Sequence, residues 1–192
     1  MPSRALESWR TERALKLDEI EAAHSAVGGG TRGRKFTTLQ INQSYAVMVS
    51  SQFQGFCRDL HDECIDHLVG SVTPVVLQTM IQRLLANARK IDRGNPNPGH
   101  LGSDFDRFGL RFWPSVQARD RRVTLWQSRL EMLTDWRNAI AHQSFDPNQL
   151  HGIVTLRLRH VRQWRNACQG LARGFDQVMG DHLRAVTGST PW

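Results

Sequence analysis

The run YAVMVSSQFQGFCRDLHDECIDHL, residues 45–68, decides the fold. Its apolar residues Tyr45, Val49, Phe53, Phe56, Leu60, Cys64 and Leu68 recur at steps of four, four, three, four, four and four. A helix turns about 100° per residue, so this spacing stacks all seven on one face. The pattern predicts one long helix over 37–68, stopped by Gly70 and Pro74.

Outward from that helix the same period returns. A helix over about 75–91 carries Val76, Met80, Leu84 and Leu85, and the Pro- and Gly-dense stretch RGNPNPGHLGSD then reads as a loop. Residues 104–111 allow one or two helical turns before Trp113-Pro114 breaks the chain. A further helix, starting near Val116 or Asp120 and reaching His142, places Val123, Trp126, Leu130, Leu133, Trp136 and Ile140 on one face. After the turn QSFDPNQ, a last helix over about 156–186 carries Leu158, Val161, Trp164, Cys168, Leu171, Phe175, Val178 and Leu183. Only residues 152–156 look β-like. The fold class is all-α, a bundle of about four long helices plus short helices. Ahead of it, residues 3–27 read as one helix, followed by the Gly-rich basic linker GGGTRGRK. The chain therefore divides into an N-terminal helix and linker, 1–35, and a helical domain, 36–192.

Composition narrows the function. A chain of 192 residues buries enough core to fold without disulfides, and Cys57, Cys64 and Cys168 have no paired spacing. No apolar run is long enough to span a membrane, and the charged N-terminus lacks the apolar segment of a signal peptide, so a cytoplasmic protein is expected. The net charge of +7, carried by 22 arginines and three lysines, favours a polyanionic partner, because bound cationic side chains displace counterions from phosphates. No helix-turn-helix pair with a short Gly-containing turn is present, which counts against a DNA-binding regulator.

The chemistry concentrates in Arg137-Asn-Ala-Ile-Ala-His142. An Arg-to-His spacing of this range arises in such a chain about as often as chance allows, and Arg93 to His100 is a second instance inside the Pro/Gly loop. The context is what singles out the first. Trp136 and Ile140 pin the core face of the helix, Arg137 projects beside it, and His142 closes the last turn, where the helix dipole favours an imidazolium. A simpler reading makes Arg137 the ion-pair partner of Asp135 or Glu131 and His142 a capping residue.

This motif, late in a helix, resembles the signature of the HEPN superfamily. The upstream SYAVMVSSQFQGFCRDLHDE and the C-terminal WRNACQGLARGFDQV with its Pro191-Trp192 tail resemble the branch called RiboL-PSP-HEPN, over residues 40–192. The resemblance implies a HEPN-like helical bundle and a metal-independent RNA endonuclease of toxin or abortive-infection type, needing no cofactor. In such enzymes the substrate's own 2′-hydroxyl attacks and leaves a 2′,3′-cyclic phosphate. His142 would serve as general acid or base, Arg137 would steady the phosphate charge, and Asn138 would orient one of them. Arg and His five residues apart lie about 140° apart around a helix. The family solves this by pairing two motifs, which implies a homodimer with Arg137, Asn138 and His142 of each copy facing one groove. RNA, single-stranded or tRNA, is the expected partner, with an antitoxin or defence-system protein as another. The alternative is a non-catalytic HEPN module that binds nucleotide, RNA or a protein.

Other residues are candidates for supporting roles. Arg119, Arg121, Arg122 and Arg129 precede the motif and form a positive strip suited to steering RNA toward it. Asp59 and Glu63, within the acidic group Asp59, Asp62, Glu63 and Asp66, are possible partners behind Arg137 or His142. Cys57, His61, Cys64 and His67 have helical spacing for zinc, but Cys64 belongs to the apolar stripe and no metal is expected. Trp126, Trp136 and Trp164 belong to apolar faces. The Arg32-Gly-Arg34-Lys35 stretch suits either an RNA backbone or a flexible joint.

Overall fold

The computed structural model describes residues 1–28 and 36–192, so the linker from residue 29 onward and the boundary at residue 35 lie outside the described residues. The elements run α1 (Arg4–Arg10), α2 (Glu12–Gly28), α3 (Phe36–Gly70), α4 (Val75–Ala86), α5 (Lys90–Arg93), α6 (Pro98–Phe105), a 3₁₀ turn (Asp106–Phe108), α7 (Phe112–Arg119), α8 (Val123–His142) and α9 (Leu158–Thr187). Among the described residues there is no strand, residues 152–156 included. No described helix is long and apolar enough to cross a membrane.

The core sits where α3, α8 and α9 meet. Tyr45, Val49, Phe53, Phe56, Leu60 and Cys64 are all buried, as their spacing predicts. They face Val161, Trp164, Cys168, Leu171 and Phe175 of α9 and Leu130, Leu133 and Trp136 of α8. Phe175 anchors an aromatic cluster, with ring centroids 4.7 Å from Phe112, 5.4 Å from Trp113, 6.0 Å from Phe105 and 6.1 Å from Phe53. Such edge and offset contacts add to the gain from burial.

The N-terminal segment is two helices, not one. At Thr11 the backbone leaves the helical region, and α2 starts afresh at Glu12. Both pack on α3: Leu6, Trp9 and Leu17 are buried, and the Trp9 ring lies 5.8 Å from Phe53 and 6.0 Å from Phe56. Asp176 of α9 accepts a buried hydrogen bond from the Ser3 backbone N–H at 2.9 Å, and Glu63 of α3 accepts from Arg4 and Ala5 at the start of α1.

Four further boundaries depart from the sequence reading. The helix over 75–91 is α4 and α5 with a break at 87–89. Val76, Met80 and Leu84, expected as a core face, are 71%, 62% and 68% exposed, and only Leu85 turns inward. Inside the Pro/Gly-dense stretch, Asn97 caps α6 by accepting from the His100 N–H at 2.8 Å, and Pro98 occupies the first turn, where its missing N–H costs nothing. Pro114 likewise sits in the first turn of α7 rather than ending a segment, and Asp120 separates α7 from α8.

Candidate active site

The end of α8 is fixed from both sides. Trp136 is buried against Trp164 and Phe145, and Ala139 is buried one turn further on. Gln143 then adopts the left-handed conformation (φ 52°), and its N–H and that of Ser144 return to the carbonyls of Ile140 and Ala139. This reversal satisfies the last carbonyls and stops the helix. Arg137 and Asn138 lie half-buried at the edge of the packed face, and His142 stands exposed at the tip.

Arg137 and His142 open onto different depressions. Arg137 lines a shallow pocket of about 440 Å³ with Gln54 and Arg58 of α3 and with Asp92, Arg93, Gly94 and Asn95 of the α5 segment. His142 lines another, of about 310 Å³, with Asp135, Asn138, Ser144, Gln149 and Leu150. Asn138 stands between them. Its side-chain oxygen accepts from Asn95 Nδ2 and lies 3.4 Å from Arg137 Nη1. The ordinary role for Arg137, pairing with Asp135 or Glu131, is not the one it takes. Arg137 has no ion pair among the described residues, and Asp135 pairs with His151, whose Nε2 lies 2.8 Å from Asp135 Oδ2. The His142 side chain has no hydrogen bond or ion pair among the described residues.

The expected supporting residues are dispersed. Arg119 and Arg122 line a groove of about 480 Å³ between α7, α8 and α9, together with Trp126 and Arg173. Arg122 and Arg137 are fifteen positions apart, about 22 Å along the helix. Arg119 pairs with Asp181, and Arg122 pairs with Asp120 while its guanidinium lies 4.9 Å from the Trp126 ring centre. Arg121 is exposed and Arg129 half-buried. The strip thus runs away from the motif toward the other end of α8. Trp136 and Trp164 are core residues, whereas Trp126 is only partly buried at the groove. Asp59 and Glu63 do not reach Arg137 or His142. Asp59 holds Arg13 of α2 at 2.6 Å and Glu63 holds the start of α1, because their side of α3 is covered by the N-terminal helices. Asp62 pairs with Arg89.

The Cys57/His61/Cys64/His67 set does not converge. Among the described residues no three His, Cys, Asp or Glu side chains group in a way that holds a metal ion. Both thiols are buried, and burial pushes them well above the ordinary thiol range. The His61 ring is wedged edge-on between Phe105 and Phe108, with Nε2 3.3 Å from the Asp104 carbonyl. Burial, and then the nearby Arg89 guanidinium, lower its pKa to about 4. His67 meets Thr187 at 3.0 Å.

Sequence reasoning missed Asn95, Arg93, Arg58 and Gln54, all beside Arg137, and the Asp135–His151 pair beside His142. Of these only the second Arg-to-His spacing left a trace. Arg93 lines the Arg137 pocket, while His100 supports it, its Nδ1 2.9 Å from the Asn95 carbonyl. Compared with family models, with curated proteins and with solved structures, the chain matches none.

Proposed function

We propose that this chain is a metal-independent RNA endonuclease of the HEPN type, acting as a homodimer whose site combines the Arg137, Asn138 and His142 of two copies. The observation that carries this reading is the separation of Arg137 and His142 into depressions on either side of Asn138. One copy offers a phosphate-binding cation in one place and a free imidazole in another. Two copies facing each other across the end of α8 supply both to a single phosphodiester. The composition agrees: a net charge of +7 suits a polyanionic substrate.

The chemistry such a site performs is a transesterification. The 2′-oxygen attacks the adjacent phosphorus, its proton passing to the neutral imidazole of His142, and the same ring, now protonated, gives a proton to the leaving 5′-oxygen. A 2′,3′-cyclic phosphate and a 5′-hydroxyl result. Arg137 donates hydrogen bonds to the non-bridging oxygens as their charge rises, an interaction strongest in the transition state. Asn138 steadies the Arg137 side chain. An exposed His142 is free to exchange its proton with solvent between turnovers.

The test is incubation of purified protein with single-stranded RNA and tRNA in EDTA. Cleavage with cyclic-phosphate ends, lost in Arg137→Ala and His142→Ala, is the expected result. Intact RNA with the wild type would defeat the proposal. A second reading is a non-catalytic module that binds nucleotide, RNA or a protein partner, the exposed apolar face of α4 being the surface for a protein such as an antitoxin or defence-system partner. Harmless expression of the wild type, with RNA bound but uncut, would support that reading instead.

A further inference from the structure

Arg137 shares its pocket with two other guanidinium groups, and the segment that carries one of them is held rigidly. Gln54 Nε2 donates to the carbonyls of Ile91 and Gly94 at 2.6 and 2.7 Å, and Arg58 Nε donates to the Ile91 carbonyl at 3.1 Å. From the other side the buried Asp104 carboxylate accepts from the backbone N–H groups of Lys90 and Ile91 at 3.0 and 2.8 Å. Asn95 ties the segment to Asn138. At Gly94 the chain runs so close to His100 that an added Cβ would lie 2.8 Å from its ring. Little remains to be ordered when a ligand arrives, which favours binding.

The charge in the pocket is unbalanced. Its one carboxylate, Asp92, is already engaged by Arg89 at 2.9 Å and by Arg58 at 3.3 Å. Arg93 and Arg137 have no ion pair among the described residues, although both line the same cavity. Two unpaired guanidinium groups from different helices, a third beside them and the amides of Gln54 and Asn95 suit a tetrahedral oxyanion with several acceptor oxygens.

We infer that this pocket is a phosphate-binding subsite in which Arg93 acts with Arg137. The inference rests on the endonuclease reading only in taking the phosphate to belong to RNA. Arg93 lies outside the sequence motif, and it sets where the strand's backbone sits relative to the bond being cut.

The full chain is titrated with inorganic phosphate, with a nucleoside 3′-monophosphate, and with a 2′-O-methylated RNA oligomer that cannot be cleaved. The proteins are wild type, Arg93→Ala and Arg93→Lys. Arg93→Ala should weaken all three ligands by about tenfold, the scale of one charged hydrogen-bonding group. It should also lower the salt dependence of RNA binding by about one unit of slope, as loss of one phosphate contact does. Arg93→Lys should recover only part of the loss. If the monophosphates bind through Arg93 but the oligomer neither binds nor competes, the subsite stands and its ligand is a free phosphate. If Arg93→Ala binds every ligand as the wild type does, or the wild type binds none, the inference is overturned. An active nuclease in which Arg93→Ala is silent would overturn the subsite while leaving the endonuclease reading intact.

Discussion

Asn138 turns its side-chain oxygen toward Asn95 and Arg137 together, so one short side chain couples the end of α8 to the segment that completes the Arg137 pocket. Asn138→Ala should therefore slow RNA cleavage while costing only about 1 kcal/mol of stability, the net worth of a typical hydrogen bond. Cleavage rates and thermal midpoints of the same preparation check this. A loss of stability well beyond about 1 kcal/mol, with cleavage falling only as far as the folded fraction falls, would mean that Asn138 only holds the fold. His142→Ala should reduce turnover by about a hundred- to ten-thousandfold, the usual share of general acid–base catalysis, with the thermal midpoint unchanged. His61 makes a different prediction. Its pKa is about 4 in the folded chain against about 6.5 unfolded, so folding favours the neutral ring. Its contribution is fully present above about pH 6.5 and is lost as pH falls through 4, reaching about 3 kcal/mol at most. A His61→Phe variant should lose that part of the acid sensitivity, measured by denaturation between pH 4 and 7.

Long helices were legible and short ones were not, for a physical reason. A stripe such as Tyr45 to Cys64 repeats its signal over five turns, and the matching α9 stripe from Val161 to Leu183 is buried as predicted. Helix α6 has two turns and opens with Asn97-Pro98-Gly99, residues that read as breakers although Asn as cap and Pro in the first turn also start helices. The break at Asp120 and the outward turn of Val76, Met80 and Leu84 depend on what packs alongside, which spacing does not encode. The same holds for the site: Arg137, Asn138 and His142 were visible as a motif, whereas Asn95 lies 43 residues from Asn138 and Asp135 is 16 from His151. At this scale α1 makes the sharpest prediction. Because Trp9 is buried against Phe53 and Phe56, Trp9→Ala should cost about 3–5 kcal/mol, as for other buried aromatics. Urea denaturation measures it, and a cost under about 1 kcal/mol would mean that α1 contributes little to the core.

For the whole molecule the governing geometry is that one α8 presents Arg137 and His142 to different depressions. On the proposed reading a single chain holds the parts of a site without assembling them, and a symmetric pair of chains would close the gap, because in such a pair each face meets the same face of its copy. Sedimentation of the purified protein should give a dimer at the concentrations where RNA is cut. The most direct test mixes two inactive variants, Arg137→Ala and His142→Ala, after unfolding and refolding them together so that the chains exchange. Each alone should leave RNA intact in EDTA. The mixture should recover part of the wild-type cleavage, because a mixed dimer carries one intact Arg137 and one intact His142 on opposite chains. No recovery from a mixture shown to contain mixed dimers would contradict a composite site.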